Sequence, residues 1–274
     1  MADQPVGQPP ASSPVTSSAA ATIALTDVAA RRGNTTIWDQ GSFDIPQPSI
    51  TAVIGPNGSG KSTLLHLLLG LLEPYSGTVE VFGSEPREAS EQLGFVPQSY
   101  HVPGSDYLTV LEYVRLGKIG NQFFWRSPKG MDQQVADAIE AVGLAGYERR
   151  RLRHLSGGEQ QRAAIAQSLM NQPKTLLMDE PFASLDVRHQ QRLAELIHGL
   201  RMDHSIGSLV VVHDLNPILP YLDGVIYLLD GHAHYAPTSE AVDEDLLTHL
   251  YGCPVQVTRT AQGDIFTRVT GHAP

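Results

Sequence analysis

A glycine-rich segment, residues 55–62, has the residue types and spacing needed to hold a chain of phosphates. It fits the pattern G-x-x-x-x-G-K-[ST], in which backbone N–H groups surround the phosphates. An apolar, β-branched run, Ile50–Ile54, precedes it, and a helical run, 63–69, follows it. The segment is therefore predicted to be a phosphate-binding turn between a buried strand and a helix. The residues predicted to bind a nucleoside triphosphate here are Gly55, Pro56, Asn57, Gly58, Ser59, Gly60, Lys61, Ser62 and Thr63.

Two side chains of this segment have specific predicted roles. Lys61 is expected to contact the β- and γ-phosphates, and the Ser62 hydroxyl to ligate the Mg²⁺ that accompanies ATP. The glycines let the backbone turn sharply and approach the phosphates closely. A strand-to-helix turn without a ligand is the alternative, and the Lys-Ser-Thr sequence in register after a strand disfavours it.

A second buried strand, Thr175–Met178, ends in two acidic residues, Asp179 and Glu180. Asp179 is suited to hold Mg²⁺, as in a Walker B motif. Glu180, one residue further on, is predicted to orient or deprotonate the attacking water. Two solvated acids at a strand end are a common alternative, but the string over residues 177–186 extends the Walker B pattern well beyond two acids.

With four further motifs in the expected order, the chain resembles the ATP-binding subunit of an ABC transporter. The resemblance covers the sequence from about Ile23 to its end. The motifs that carry it are Val96–Gln98 (Q-loop), Leu155–Arg162 (signature), Ser184–Asp186 (D-loop) and Val212–Asp214 (switch).

The resemblance implies roles for single residues in three of these motifs. Gln98 would sense the γ-phosphate and help to ligate Mg²⁺, and Asp186 would be the acidic residue of the D-loop. His213 would donate a hydrogen bond to the γ-phosphate and keep nucleotide and water in line. A lone histidine at a strand end is more often structural, but the position of His213 after the Walker B strand favours the switch interpretation.

The signature has a physical logic of its own. Ser156 is a favourable helix N-cap, and Glu159 three residues later completes a capping box. Gly157 and Gly158 leave the helix N-terminus bare, which suits an anion. The resemblance implies that this end binds the γ-phosphate held by a second copy of the ATPase, so that the active sites are composite in a head-to-tail dimer. An ordinary capped helix is the alternative.

One departure concerns the nucleotide base. The family usually places an aromatic residue upstream of the phosphate-binding segment, where it stacks on adenine. Arg32 occupies that position here, in the segment Ala29–Asn34. A guanidinium can stack on a flat ring, and a solvated loop arginine is an equally favoured alternative.

The resemblance implies an α/β fold: a P-loop NTPase core of the RecA type, with an antiparallel β-portion and an inserted α-helical lobe. Residues 22–98 and 156–232 would form the ATPase core, and 99–155 the helical lobe. Residues 233–274 would be a C-terminal extension packed on the core. Residues 1–21, rich in Ala, Ser, Pro and Gln, are expected to be a disordered tail.

Periodicity predicts the individual elements. Residues 23–54, with 77–83, are expected to supply the strands of the antiparallel β-portion, and 93–96 a core strand. Helical spacing over 109–117 and 131–142 indicates the lobe. The other predicted elements are helices over 161–171 and 187–201, and strands over 175–179, 208–213 and 224–230.

Composition limits the classes of function. The chain has 274 residues and a formal net charge of -10, which argues against a nucleic-acid binder with a basic face. Its single cysteine, Cys253, excludes an internal disulfide and fits a reducing cytoplasm. No apolar run approaches the ~20 residues of a membrane span. The resemblance therefore implies a peripheral subunit, held at the cytoplasmic face of the cell membrane by a separate permease and served indirectly by an extracytoplasmic solute-binding protein.

Two segments are predicted to meet the permease. The residues after the Q-loop, Tyr100, Val102, Tyr107 and Leu108, are candidate contacts, because the family's Q-loop and lobe receive a helix of the membrane subunit. The aromatic cluster Phe123–Arg126 is a second candidate. Packing within the lobe is the favoured alternative for Phe123 and Trp125.

The cargo is indicated only by resemblance. The segments Thr109–Gly117, with Trp125-Arg126, and Leu250–Val257 resemble subunits of manganese, zinc and iron-chelate importers, which favours zinc or manganese. The alternatives are a siderophore, haem or vitamin B12 importer, an exporter, a soluble ABC protein linked to nucleic acid, and a non-catalytic regulatory module.

Two pairs of potential metal ligands lie outside the phosphate-binding motifs. His232 and His234 would share a strand face, and His249 and Cys253 a helix face. Each pair is predicted to be surface side chains, because two ligands fall short of the three or four that a transition-metal site needs.

Overall fold

The computed structural model of the protein describes residues 22–98, 107–119, 130–260 and 265–270. Its strands are β1 (Thr22–Arg32), β2 (Thr35–Pro46), β3 (Ile50–Ile54), β4 (Ser76–Val81), β5 (Leu93–Val96), β6 (Thr175–Asp179), β7 (Gly207–Val211), β8 (Gly224–Leu229), β9 (His232–Pro237), β10 (Val255–Arg259) and β11 (Ile265–Val269). Its helices are α1 (Lys61–Leu68), α2 (Pro86–Ala89), α3 (Val110–Ile119), α4 (Met131–Ala141), α5 (Gly157–Leu169), α6 (Val187–His204), α7 (Thr238–Ala241) and α8 (Glu244–Tyr251).

One mixed sheet organises the fold, with the strand order β4-β1-β2-β9-β8-β3-β7-β6-β5. The strands β4 and β2 each pair antiparallel with β1, which lies between them. The strands β8, β3, β7, β6 and β5 run parallel. The two parts join through β9, which is antiparallel to β8 and touches β2 at the pair Asp39 and His232. The predicted α/β fold with an antiparallel β-portion is confirmed.

The prediction for Ile50–Ile54 as part of the antiparallel group is wrong. This strand, β3, lies in the parallel group between β7 and β8. All five of its residues are buried. A strand covered on both faces is typical of a parallel sheet, whereas β2 shows the mixture of buried and exposed positions of a strand with one solvated side.

Two hydrophobic cores cover the two faces of the sheet. On one face, α1 contributes Leu64, Leu65 and Leu68, which are fully buried with residues of β1, β2 and β4. On the other face, α5 and α6 pack with α8 and with the helical segment, which consists of α3 and α4. Each fully buried leucine contributes about 1.5–3 kcal/mol relative to an exposed one, so both faces contribute to stability.

The helical segment rests on α5. The side chain of Gln167 on α5 donates to the carbonyl of Tyr113 on α3, and Asn171 donates to the carbonyl of Gly117. Buried residues of α4, among them Val135 and Ile139, belong to the same core. The predicted helices over 109–117 and 131–142 are confirmed as α3 and α4.

The C-terminal region departs from the predictions in three ways. The main sheet continues through β9 to Pro237, so residues 233–237 of the predicted extension lie within it. The helix α8 ends at Tyr251, because Gly252 adopts a left-handed conformation with φ 66°. Cys253 is therefore beyond the helix and shares no helix face with His249, contrary to the prediction. A two-stranded hairpin of β10 and β11 follows, which the sequence patterns did not indicate.

The predicted disordered tail, residues 1–21, lies outside the described residues. No helix in the described part of the chain combines the length and the apolarity that crossing a membrane requires.

A substitution at the contact between α3 and α5 tests this packing. A Cβ atom at Gly117 would overlap the carbonyl oxygen of Gln167. We expect Gly117→Ala to lower the free energy of unfolding by roughly 2 kcal/mol through overpacking, measured by urea denaturation. Gly199→Ala on α6 is the control, because the nearest atom to its new Cβ is 3.9 Å away. An unchanged or raised stability of Gly117→Ala would contradict the close approach of the two helices.

Candidate functional site

The phosphate-binding segment lies between the end of β3 and the start of α1, as predicted. Gly60 precedes the helix with φ 95°, a left-handed conformation that favours glycine. A Cβ atom at this position would also approach Ile37 Cγ2 to 2.6 Å and Trp38 Nε1 to 2.7 Å. Only glycine fits here without displacing β2, so the loop stays pressed against the sheet.

Lys61 is the first residue of α1 and is almost fully buried, with 7% of its surface exposed. Its Nζ donates to the carbonyls of Gly55 at 2.8 Å and Pro56 at 3.0 Å. Burial lowers the pKa of Lys61, and the charges of Glu180 and Asp179 oppose that shift. These contacts hold the ammonium group across the loop that is predicted to bind phosphate.

Ser62 and Asp179 meet although 117 residues separate them in sequence: the Ser62 hydroxyl donates to Asp179 Oδ2 at 2.9 Å. Asp179 is the last residue of β6, and Ser62 is in the first turn of α1. Both side chains offer hard oxygen atoms, which Mg²⁺ prefers. The residues present therefore fit the predicted magnesium site.

The carboxylate of Glu180 lies between two of the other predicted residues. Gln98 Nε2 donates to Glu180 Oε2 at 2.6 Å. His213 Nε2 is 2.6 Å from Glu180 Oε1. The structure thus brings together three residues predicted separately from the Q-loop, the Walker B string and the switch.

The backbone at Glu180 directs its side chain. Glu180 follows β6 with φ 50°, a conformation that is uncommon outside glycine. Its N–H donates to the carbonyl of Val211 at 3.2 Å, which fixes it to the end of β7. The strained turn sets the carboxylate at the edge of the sheet, where the loops after β5 and β7 also arrive.

The signature helix α5 begins as predicted. The Ser156 side chain accepts from the Glu159 N–H, and the Glu159 carboxylate accepts from the Ser156 N–H at 2.7 Å, a complete capping box. Burial acts to raise the pKa of Glu159, but the hydrogen bonds from Ser156 outweigh it and leave the pKa below its ordinary value. The N-terminus of α5 is thus capped by two side chains, those of Ser156 and Glu159.

The two signature glycines have different surroundings. A Cβ at Gly157 would have only Leu185 nearby, at 3.8 Å, whereas one at Gly158 would lie 2.7 Å from the His189 ring. Gly158 is therefore needed for packing against α6 within the same chain, and Gly157 leaves the open face of the helix end. Among the described residues, no hydrogen bond or ion pair joins the signature segment to Lys61 or Glu180.

Asp186 caps α6. Its Oδ1 accepts from the N–H of His189 at 2.9 Å and lies 2.8 Å from the His189 ring Nδ1. The backbone hydrogen bond from His189, with its side chain, lowers the pKa of Asp186. The predicted D-loop residue therefore has a structural role as a helix cap within this chain.

The structure does not describe all of the predicted residues. Arg32 ends β1, but its side chain lies outside the described part of the chain, as do Tyr100, Val102 and the cluster Phe123–Arg126. Tyr107 is described and is 68% exposed. The neighbouring Arg31 lies over the ring of Tyr75, at 3.5 Å from its centroid.

The three histidines of the two predicted pairs contact other side chains. His232 contacts Asp39 at 3.0 Å, His234 stacks on Tyr227, and His249 contacts Asp230 at 3.1 Å. In the residues that the structure describes, no group of three or more His, Cys, Asp or Glu side chains is placed to hold a metal ion.

The sequence analysis did not identify Trp38, which is 1% exposed and whose indole ring packs against Gly60. It also missed Asn216, which joins the loop after His213 to β11. A large aromatic residue in an amphipathic strand indicates a core position, which would have identified Trp38. No local signal indicates Asn216.

The ABC transporter family model matches residues 38–183. The petrobactin import ATP-binding protein FpuC of Bacillus anthracis is 35% identical over 80% of this chain and 82% of its own. The phosphonates import ATP-binding protein PhnC of Nitratidesulfovibrio vulgaris is 35% identical over 77% and 84%. The manganese transport system ATP-binding protein MntB of Bacillus subtilis is 32% identical over 77% and 84%.

Solved structures of the same family are also similar to this chain. An inward-facing ABC transporter described as of the metal-chelate type has a TM-score of 0.79 and 27% identity, over 91% of this chain and 97% of that chain. The dimeric structure of a bacterial ABC transporter cassette has a TM-score of 0.66 and 26% identity, over 79% and 98%. The chain therefore belongs to the ABC transporter family, as the cassette that binds ATP and hydrolyses it.

The capping box generates a prediction about stability. Ser156→Ala removes the hydroxyl that accepts from the Glu159 N–H, whereas the backbone N–H of residue 156 can still donate to the Glu159 carboxylate. The free energy of unfolding should therefore fall by about 1 kcal/mol. Ser156→Thr is the matched control, because threonine completes the same box. Chemical denaturation of both variants checks this, and equal losses for the two would contradict it.

Proposed function

We propose that the protein is the ATP-hydrolysing subunit of an ABC importer, which couples ATP binding and hydrolysis to uptake of a transition metal, zinc or manganese. The observation that carries the catalytic part is the convergence of Gln98 and His213 on the Glu180 carboxylate, each at 2.6 Å. The direction of transport rests on the import proteins FpuC and PhnC among its relatives. The metal rests on MntB and on the metal-chelate type transporter.

Glu180 is assigned the role of orienting or deprotonating the attacking water. A carboxylate held at the end of β6 can accept a proton from water, or orient it for in-line attack on the γ-phosphate. Gln98 and His213 would hold the carboxylate and the γ-phosphate in one arrangement. The Lys61 ammonium and the N–H groups of residues 55–62 would stabilise the charge on the phosphates. Positioning and electrostatics thus account for most of the catalysis.

Ser62, Asp179 and the amide oxygen of Gln98 would hold Mg²⁺ with the bound ATP. When bound, this ion would neutralise charge on the β- and γ-phosphates. The Arg32 side chain is proposed to contact the base in place of an aromatic residue.

The proposed assembly has two copies of this chain, placed head to tail. The dimeric cassette among the similar structures supports it. In that arrangement, the signature of one copy faces the γ-phosphate on the other, with the residues Ser156, Gly157, Gly158 and Glu159. Asp186 lies at the interface. The helical lobe, residues 99–155, would pass motion from α5 to an integral-membrane permease at the cytoplasmic face of the membrane. A solute-binding protein on the other side would deliver the cargo, and nucleic acid has no part.

A second candidate function is uptake of a siderophore or a related metal chelate such as haem or vitamin B12. The petrobactin import relative, FpuC, favours it specifically. The two candidates share the ATPase site and differ only in the permease and the cargo.

Substitution of Glu180 separates binding from hydrolysis. Glu180→Gln should bind ATP, form the dimer and lose nearly all turnover, because the amide cannot accept a proton from water. Lys61→Ala should instead lose ATP binding, since the loop loses its positive charge. Phosphate release, equilibrium ATP binding and size-exclusion chromatography measure these effects. If Glu180→Gln turned over ATP at nearly the rate of the unmodified protein, the assignment of Glu180 as the general base would be wrong.

Cellular metal content tests the cargo. The gene would be deleted, restored as the unmodified form or as Glu180→Gln, and zinc, manganese and iron measured in cells grown under metal limitation. We expect a selective deficit of zinc or manganese that only the unmodified form corrects. A deficit confined to iron supplied as a chelate would favour the second candidate, and unchanged content of all three metals would contradict metal import.

A further inference from the structure

The C-terminal hairpin holds the loop that follows the switch histidine. Asn216 Nδ2 donates to the backbone carbonyl of Thr267 at 2.9 Å, and the Thr267 N–H donates to Asn216 Oδ1 at 2.9 Å. The Thr267 hydroxyl lies 3.2 Å from the same Oδ1 and donates to it. A single side-chain amide thus pairs with both backbone groups of Thr267, as a neighbouring strand would.

The same amide is fixed to the switch loop. The Asn216 N–H and its Nδ2 both donate to Asp214 Oδ1, at 3.0 and 2.9 Å. Leu215 and Ile218, on either side, are fully buried. The loop from His213 to Asn216 is therefore short and constrained. A displacement of Asn216 would also displace His213.

The hairpin is itself anchored to the core through α8. The N–H of Val255 donates to the Thr248 hydroxyl at 2.9 Å, and that of Val257 donates to the Glu244 carboxylate at 2.8 Å. Leu247 on the same helix is fully buried. Burial raises the pKa of Tyr251, the last residue of α8, to about 12, and the nearby charge of Asp214 adds to this.

We propose that Asn216 is a positioning residue for ATP hydrolysis. Its hydrogen bonds to the C-terminal hairpin hold the loop after His213, so that His213 stays in contact with Glu180. This inference rests on the role of His213 in the proposed function. A catalytic group must be held to a fraction of an ångström for full effect. The hydrogen bond between His213 and Glu180, at 2.6 Å, ends a loop whose other end is set by Asn216.

Two substitutions break the support from opposite sides. Asn216→Ala removes all three hydrogen bonds to Thr267, and we expect kcat for ATP hydrolysis to fall about tenfold through misplacement of His213. Thr267→Pro removes the N–H donor and the hydroxyl but keeps the carbonyl acceptor. It lies on a strand edge where proline is tolerated, and it should lower kcat in the same direction. The double variant should lose no more than Asn216→Ala alone, because both changes remove the same interaction.

Thr267→Val is the matched control. It loses the hydroxyl but keeps both backbone hydrogen bonds to Asn216, so its kcat should match that of the unmodified protein. In all variants the KM for ATP should stay within about twofold, because substrate binding is unaffected. The purified full-length chain would be measured for kcat, KM and thermal midpoint.

Three results would overturn the proposal. The first is an unchanged kcat for Asn216→Ala. The second is a loss of kcat that Thr267→Pro does not share, and the third is a fall in thermal midpoint that accounts for the lost activity. His213→Ala keeps this test separate from that of the proposed function: if it retains turnover, the role of His213 fails as well. If it abolishes turnover while Asn216→Ala leaves kcat unchanged, only the present inference fails.

Discussion

The carboxylate of Glu180 is the point on which the arrangement of the site depends. Both of its oxygens carry a close contact, one with Gln98 and one with His213. Those residues follow β5 and β7, which flank β6 in the parallel sheet. Because the carboxyl ends of parallel strands meet at one edge, three loops distant in sequence deliver their side chains to a single carboxylate. The left-handed backbone at Glu180 is the local cost of that convergence.

The rest of the molecule supports two helix N-termini. The one at α1 is held by the turn at Gly60 against Trp38, with Lys61 buried across the loop. The one at α5 is capped by Ser156 and left open at Gly157. Helix α5 also carries α3 and α4 through shared core contacts. A force on the helical segment is therefore transmitted to the helix end that faces phosphate in the proposed dimer.

The site was more predictable than the fold around it. The positions and the proposed roles of Lys61, Ser62, Asp179 and Glu180 come from short strings, because a phosphate loop or a strand-end acid depends on its immediate neighbours. The placement of β3 depends on burial on both faces, which the alternating pattern before it concealed. The pairing of Asn216 with Thr267 spans 51 residues and leaves no local signal, since an asparagine after a strand has many uses. Long-range contacts of single polar side chains are therefore not predicted by local sequence patterns.

Mixed dimers test most directly whether each ATPase site combines two copies of the chain. Gly157→Asp places a negative charge at the open end of α5, where Gly157→Ala is the control, and Glu180→Gln removes the proposed base. Each variant alone should be inactive. An equal mixture should regain about a quarter of the full rate, since half of the dimers are mixed and each mixed dimer has one intact site. A mixture that stays inactive, although both variants bind ATP and dimerise, would contradict the composite site.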